Sequence, residues 1–199
     1  MRKLSVCLCG LTIAMVQGQG TGRAQTPDLR PGNFELGLYT GASYGVDSFR
    51  WMTGANLSYS LPKLLLPYAE WSYFPGIQRN FDNGVNAGKL TAKITDFHGG
   101  VHIRFIGRES RVVPYGVVGF GALSSRSTGQ SKGKLSGLSS NQDIRSTDPA
   151  VNFGAGLRVY HASFFGYRAE FKAYRLWSSQ FSKIFTKSEG GIFFQFGGR

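Results

Sequence analysis

From Phe34 to Tyr44 the chain alternates: Phe34, Leu36, Leu38, Ala42 and Tyr44 fall on one face of an extended strand, Glu35, Gly37, Gly41 and Ser43 on the other. The pattern recurs. Trp51 to Leu61 sets Trp51, Ala55, Leu57, Tyr59 and Leu61 against Gly54, Asn56, Ser58 and Ser60, and Leu66 to Phe74 sets Ala69, Trp71 and Tyr73 against Glu70 and Ser72. Phe97, Val101, Ile103 and Phe105 alternate with Asp96, His98, His102 and Arg104, a set that no soluble core would readily take. Ala150 to Tyr160 opposes Val151, Phe153, Ala155, Leu157 and Val159 to Asn152, Gly154, Gly156 and Arg158. Phe165 to Trp177 opposes Tyr167, Ala169, Phe171 and Ala173 to Arg168, Glu170, Lys172 and Tyr174. Val112 to Leu123 is apolar on both faces, and its pattern gives no orientation. With Ser188 to Phe196 these segments make eight strands.

The connections between them sort by length. Short segments around Pro62, Gly107 and His161 alternate with polar, Gly/Ser/Asn-rich stretches over Tyr73–Thr91, Ser124–Pro149 and Ser178–Glu189, which read as long loops; the first connection, Val46–Arg50, is short. An even strand number, with short turns at one end and long loops at the other, is the parity of a transmembrane barrel. Two aromatic girdles fit the same picture: Tyr44, Trp51, Trp71, Tyr73 and Trp177 at the outer interface, and Tyr59, Phe105, Tyr115 and Tyr167 at the inner one.

The N-terminus adds a location. Arg2 and Lys3 precede an apolar run from Leu4 to Val16, the form of a secretory signal peptide, with cleavage expected after Ala24 and Gly18 as the alternative. That run is shorter than the roughly 20 apolar residues a helical span needs. The expected division is a signal peptide over 1–24, a periplasmic linker over 25–32 and a barrel over 33–199. Cys7 and Cys9 both leave with the signal, which removes disulfide and thiol chemistry from the mature chain. The 28 glycines and the tally of 16 Phe, 9 Tyr and 3 Trp suit close-packed strands. Without Arg2, Lys3 and Arg23, 20 basic residues face 11 acidic ones, a mature charge of +9. An exported chain meets anionic lipid and lipopolysaccharide first, so nucleic acid is set aside as a partner.

The last strand carries a motif. In Glu189-Gly190-Gly191-Ile192-Phe193-Phe194-Gln195-Phe196 a polar residue is followed by Gly191 two places on and by Phe194 and Phe196 at the fifth and seventh places, with Ile192, Phe194 and Phe196 on one face. This resembles the C-terminal assembly signal of outer-membrane barrels. Together with the alternation and the loop parity, the chain resembles the small eight-stranded outer-membrane β-barrels, the group that includes OmpA and OmpX. Members usually stop at the last aromatic, whereas here Gly197, Gly198 and Arg199 follow.

The resemblance implies an all-β fold, an antiparallel up-and-down barrel integral to the bacterial outer membrane. It implies delivery by periplasmic chaperones and the barrel assembly machinery, and a monomer. Eight strands leave an interior that side chains fill. The expected lumen set is Glu35, Glu70, Asp96, Glu170 and Glu189 against Arg104, Arg158, Arg168 and Lys172, an ion-pair network that plugs the barrel rather than conducting ions. Remaining positive charge is assigned to loops through Arg50, Arg79, Lys89, Lys93, Arg126, Lys132, Lys134, Arg145, Lys183 and Lys187, where it would bridge lipopolysaccharide phosphates.

The expected role is non-enzymatic, structural or adhesive at the surface, with a narrow porin-like channel as the alternative and a lipid A-modifying enzyme third. His161 and Ser163 with Glu170 resemble the residue set of outer-membrane lipid A deacylases, yet the pair falls at a periplasmic turn while Glu170 points inward. His98 and His102, four apart on one strand, lie roughly 13 Å from each other, whereas ligands of one metal sit at about 2 Å from it. No cofactor fingerprint is present in the sequence.

Overall fold

A computed structural model describes residues 32–45, 49–61, 64–82, 86–105, 110–133, 139–177 and 184–197. The expected signal peptide and all of the linker but Gly32 lie outside them. The strands are β1 (Asn33–Tyr44), β2 (Phe49–Tyr59), β3 (Leu65–Asp82), β4 (Asn86–Arg104), β5 (Val112–Gly133), β6 (Ser139–Ala162), β7 (Phe165–Leu176) and β8 (Ile184–Gly197). Each pairs antiparallel with its chain neighbour, and β1 pairs with β8 to close the barrel. No helix among the described residues is long and apolar enough to cross a membrane.

Closure follows from the alternation. Within a bilayer a strand of this pattern is satisfied when its apolar face meets lipid and its backbone is paired on both sides. The β1–β8 seam satisfies both requirements, with Phe34 opposite Phe196, Glu35 opposite Gln195 and Leu36 opposite Phe194. Gly197 of the C-terminal extension still belongs to β8, opposite Asn33. The wall is inside-out relative to a soluble domain: Phe97 and Phe153 are each 59% exposed, while Glu35, Glu70, Asp96, Arg158 and Lys172 are buried. β5, unoriented by its sequence, turns Val113, Tyr115, Val117 and Leu123 inward and Val112, Val118 and Phe120 outward.

Two expectations about the outer connections are corrected. Most of Tyr73–Thr91 and Ser124–Pro149 is paired strand: β3–β4 pairing continues to Asp82↔Ala87, with a bulge between Phe74 and Ile77, and β5–β6 pairing to Lys132↔Ser139. β5 and β6 run to 22 and 24 residues, far beyond the roughly 9–11 that a tilted strand needs to cross a bilayer. Water wets both faces of a hairpin that clears the membrane, so no apolar face is required there and the period-2 signal vanishes. In the last connection β8 begins at Ile184, before the expected Ser188, and this places Lys187 on an inward position.

Candidate functional site

Inward positions of all eight strands meet in the lumen, in three layers. At mid-height Lys172 Nζ lies 2.5 Å from Glu70 Oε2, 2.8 Å from Glu189 Oε1 and 3.0 Å from Glu170 Oε2. Arg168 reaches Glu170 at 3.4 Å and Glu189 at 3.3 Å, and Tyr115 Oη donates to Glu170 Oε1 at 2.5 Å. Toward the outer end Lys187 pairs with Asp96, donates to Ser72 Oγ at 2.9 Å and stands 3.7 Å from Glu70; its ammonium lies 4.7 Å from the centre of the Tyr174 ring. His98 Nδ1 pairs with Asp96, and its ring meets Tyr174 edge-on. Toward the end where β1 starts and β8 finishes, Arg158 binds Glu35 Oε1 at 3.0 Å and His102 Nδ1 at 2.9 Å, over the Tyr115 ring, and Arg104 donates to Ser60 Oγ at 2.8 Å.

The principal pairs run across the barrel: β6 to β1 for Arg158–Glu35, β7 to β3 for Lys172–Glu70, β8 to β4 for Lys187–Asp96. Among the described residues the layers below the outer apolar cluster hold five acids, Glu35, Glu70, Asp96, Glu170 and Glu189, and five bases, Arg104, Arg158, Arg168, Lys172 and Lys187; a sixth buried acid, Asp148, stands opposite Leu123 near the outer rim. Buried charges persist where they are paired and hydrogen-bonded, and this balance allows it.

Apolar side chains from all eight strands close one end of the charged layer. Above it Tyr39, Met52, Phe74, Ile94, Leu123, Ala150, Tyr174, Leu176 and Phe185 form one buried cluster to which every strand contributes. At the other end Val113, opposite Arg158, packs with Tyr160 and Phe193 in a smaller cluster from β5, β6 and β8. A hydrated ion would have to leave its water to pass the eight-strand layer.

The structure places Glu35, Glu70, Asp96, Arg104, Arg158, Arg168, Glu170, Lys172 and Glu189 on inward, buried positions. Lys187, assigned from sequence to a loop, is the fifth lumen base; its even spacing from Glu189 and Phe193, which puts all three on one face, was the available signal. Tyr115, expected in the inner girdle, is fully buried in the lumen, because β5 faces inward at its odd positions. Within the terminal motif Glu189 joins the ion-pair network and Gly191 lies opposite Tyr39, while Phe194 packs against Phe165 and Phe196 stacks on Phe34 from outside.

Other candidate chemistry is accounted for. The carboxylates of Glu70, Glu170 and Glu189 lie within 4.8 Å of one another, a spacing that suits a divalent cation, but the Lys172 ammonium sits among them. His98 and His102 engage different partners, Asp96 for the first, Arg158 for the second. His161 packs against Phe165 and Tyr167 at the β6–β7 turn, apart from Glu170 in the lumen.

No protein-family model matches the sequence, and no curated protein does. Among solved structures the N-terminal β-barrel domain of Pseudomonas aeruginosa OprF is similar with a TM-score of 0.51 and 17% identity, over 83% of this chain and 98% of that one. It has the fold of a small outer-membrane β-barrel. OprG from Pseudomonas aeruginosa gives this barrel a TM-score of 0.53 at 14% identity, over 85% of this chain and 98% of that one. Ail of Yersinia pestis, solved in complex with the heparin analogue sucrose octasulfate, gives 0.50 at 16%, over 84% and 100%.

Proposed function

We propose that this protein is a non-enzymatic integral outer-membrane barrel with a sealed lumen, serving a structural or surface-interaction role. One observation carries the reading: a five-to-five charged layer is capped by an apolar cluster drawn from all eight strands. Such an interior registers the strands and offers ions no hydrated path. The long outer hairpins are then the part of the molecule that meets partners, with lipopolysaccharide as the neighbour. Chaperones and the assembly machinery act on the route there, and the protein works as a monomer.

Planar-bilayer recording of the refolded protein tests the seal. We expect no step conductance at moderate voltage; regular open steps would replace this reading with that of a narrow channel. Lipid A from cells with and without the protein should be identical by mass spectrometry, and loss of an acyl chain would assign an activity instead.

A further inference from the structure

We propose that the outer rim carries a site for a phosphate monoester borne by an outer-leaflet lipid, formed by Lys93, Arg126 and Arg145. This rests on the membrane-barrel reading and names a partner for its rim. The three residues share one register line, Lys93 opposite Arg126 and Arg126 opposite Arg145 on β4, β5 and β6. Adjacent strands are about 5 Å apart, so the three Cα atoms span about 10 Å and their long side chains can converge on one group. All point away from the lumen: Ile94 and Ser125, next to Lys93 and Arg126, are buried inward positions, and Asp148, three residues after Arg145, marks the inward face of β6. Arg126 and Arg145 are 55% and 69% exposed.

Their height selects a membrane-borne ligand. Outward positions from Phe105 to Thr95 on β4, Val112 to Ala122 on β5 and Val159 to Pro149 on β6 each match the roughly 9–11 residues of a bilayer crossing. Lys93 is the next outward position beyond that band, and Arg126 and Arg145 follow after single hydroxyl residues, Ser124 and Thr147. That is the headgroup level.

Charge then selects the headgroup. Asp143 accepts from Arg126 at 2.9 and 3.2 Å and lies 3.7 Å from Arg145, so it holds the two guanidinium groups side by side. The hydrogen bond from Arg126 keeps the Asp143 carboxyl below the usual range. Three cations and one carboxylate leave a local charge of +2, the complement of a phosphate monoester, which carries about −1.5 to −2 at neutral pH.

The test uses the full chain refolded into phosphatidylcholine vesicles. Trp51, Trp71 and Trp177 are exposed near the outer rim and report brominated lipid by quenching. Brominated phosphatidic acid should be favoured over brominated phosphatidylcholine by about fivefold for each engaged cation. K93Q/R126Q/R145Q should bring the ratio near one, R126K/R145K should retain most of it, and D143N should raise it. Persistence of the preference in the triple variant, with its heat-dependent gel mobility intact, overturns the site. Equal preference for phosphatidylglycerol overturns the monoester assignment, and loss of preference in millimolar glycerol phosphate overturns the lipid source. Wild-type protein without a mobility shift would instead overturn the barrel reading itself.

Discussion

Lys172→Met removes the ammonium that three buried carboxylates share, each with an oxygen within 3.0 Å of it. Methionine matches the lysine stem as far as Cε, so the change chiefly removes the ammonium group. Removing one partner of a buried ion pair costs about 3–5 kcal/mol. Arg168, 3.3 Å from Glu189 and 3.4 Å from Glu170, and Lys187, 3.7 Å from Glu70, remain to hold part of the negative charge. The lower end of the range, about 3 kcal/mol, is therefore expected. Urea unfolding from phospholipid vesicles, followed by tryptophan emission and by gel mobility without boiling, measures it. Adding Glu189→Gln to Lys172→Met removes one surplus acid and should recover about 1–2 kcal/mol. A loss below about 1 kcal/mol for Lys172→Met alone would refute the view that the network rather than the wall fixes the interior.

Three further outcomes follow from the packing. Phe185→Ala, in the outer apolar layer, should cost about 3–5 kcal/mol in the same unfolding assay while leaving the bilayer non-conducting, because the charged layer beneath it is intact. Gly121→Val should abolish the heat-dependent mobility shift, since a Cβ there would meet the Phe97 carbonyl oxygen and His98 Cα of β4, which are backbone and cannot swing aside. Phe196→Ala loses its stacking on Phe34 and should change vesicle stability by less than about 1.5 kcal/mol. The same variant should lower the amount of folded protein in cell membranes, read by immunoblot of unboiled extract; a collapse in vesicles as well would make Phe196 a wall residue only.

The membrane-crossing part of the fold was legible because lipid and lumen impose opposite demands on successive residues. Phe97 to Arg104 and Phe165 to Tyr174 display those demands on every position, and the structure orients both segments as their alternation requires. Where one demand lapses, the signal lapses too. β5 fills the lumen with Val113, Tyr115, Val117 and Leu123, so both its faces are apolar. The upper parts of β3 to β6 stand in water on both faces, and Ser, Thr, Gly and Asn there read as loop. The lumen set was found by residue type, which recovers Glu35 or Arg158. That approach passes over Met52, Ile94 and Phe185, whose apolar side chains on a polar face are the mark of the outer closure. Lys187 was misplaced for a related reason, since starting the last strand at Ser188 cut it off from its own face.

The cross-lumen pairs also govern how the barrel comes into being. Glu35–Arg158, Glu70–Lys172 and Asp96–Lys187 join residues 123, 102 and 91 positions apart, on strands that are far from adjacent. None of the three exists in an open, growing sheet, where each charge would still be hydrated. They form together when β8 meets β1, so the stabilisation they give arrives late and in one step. A chain with seven strands in place has gained almost none of it, and the finished barrel cannot lose one strand without losing the interior that all eight define.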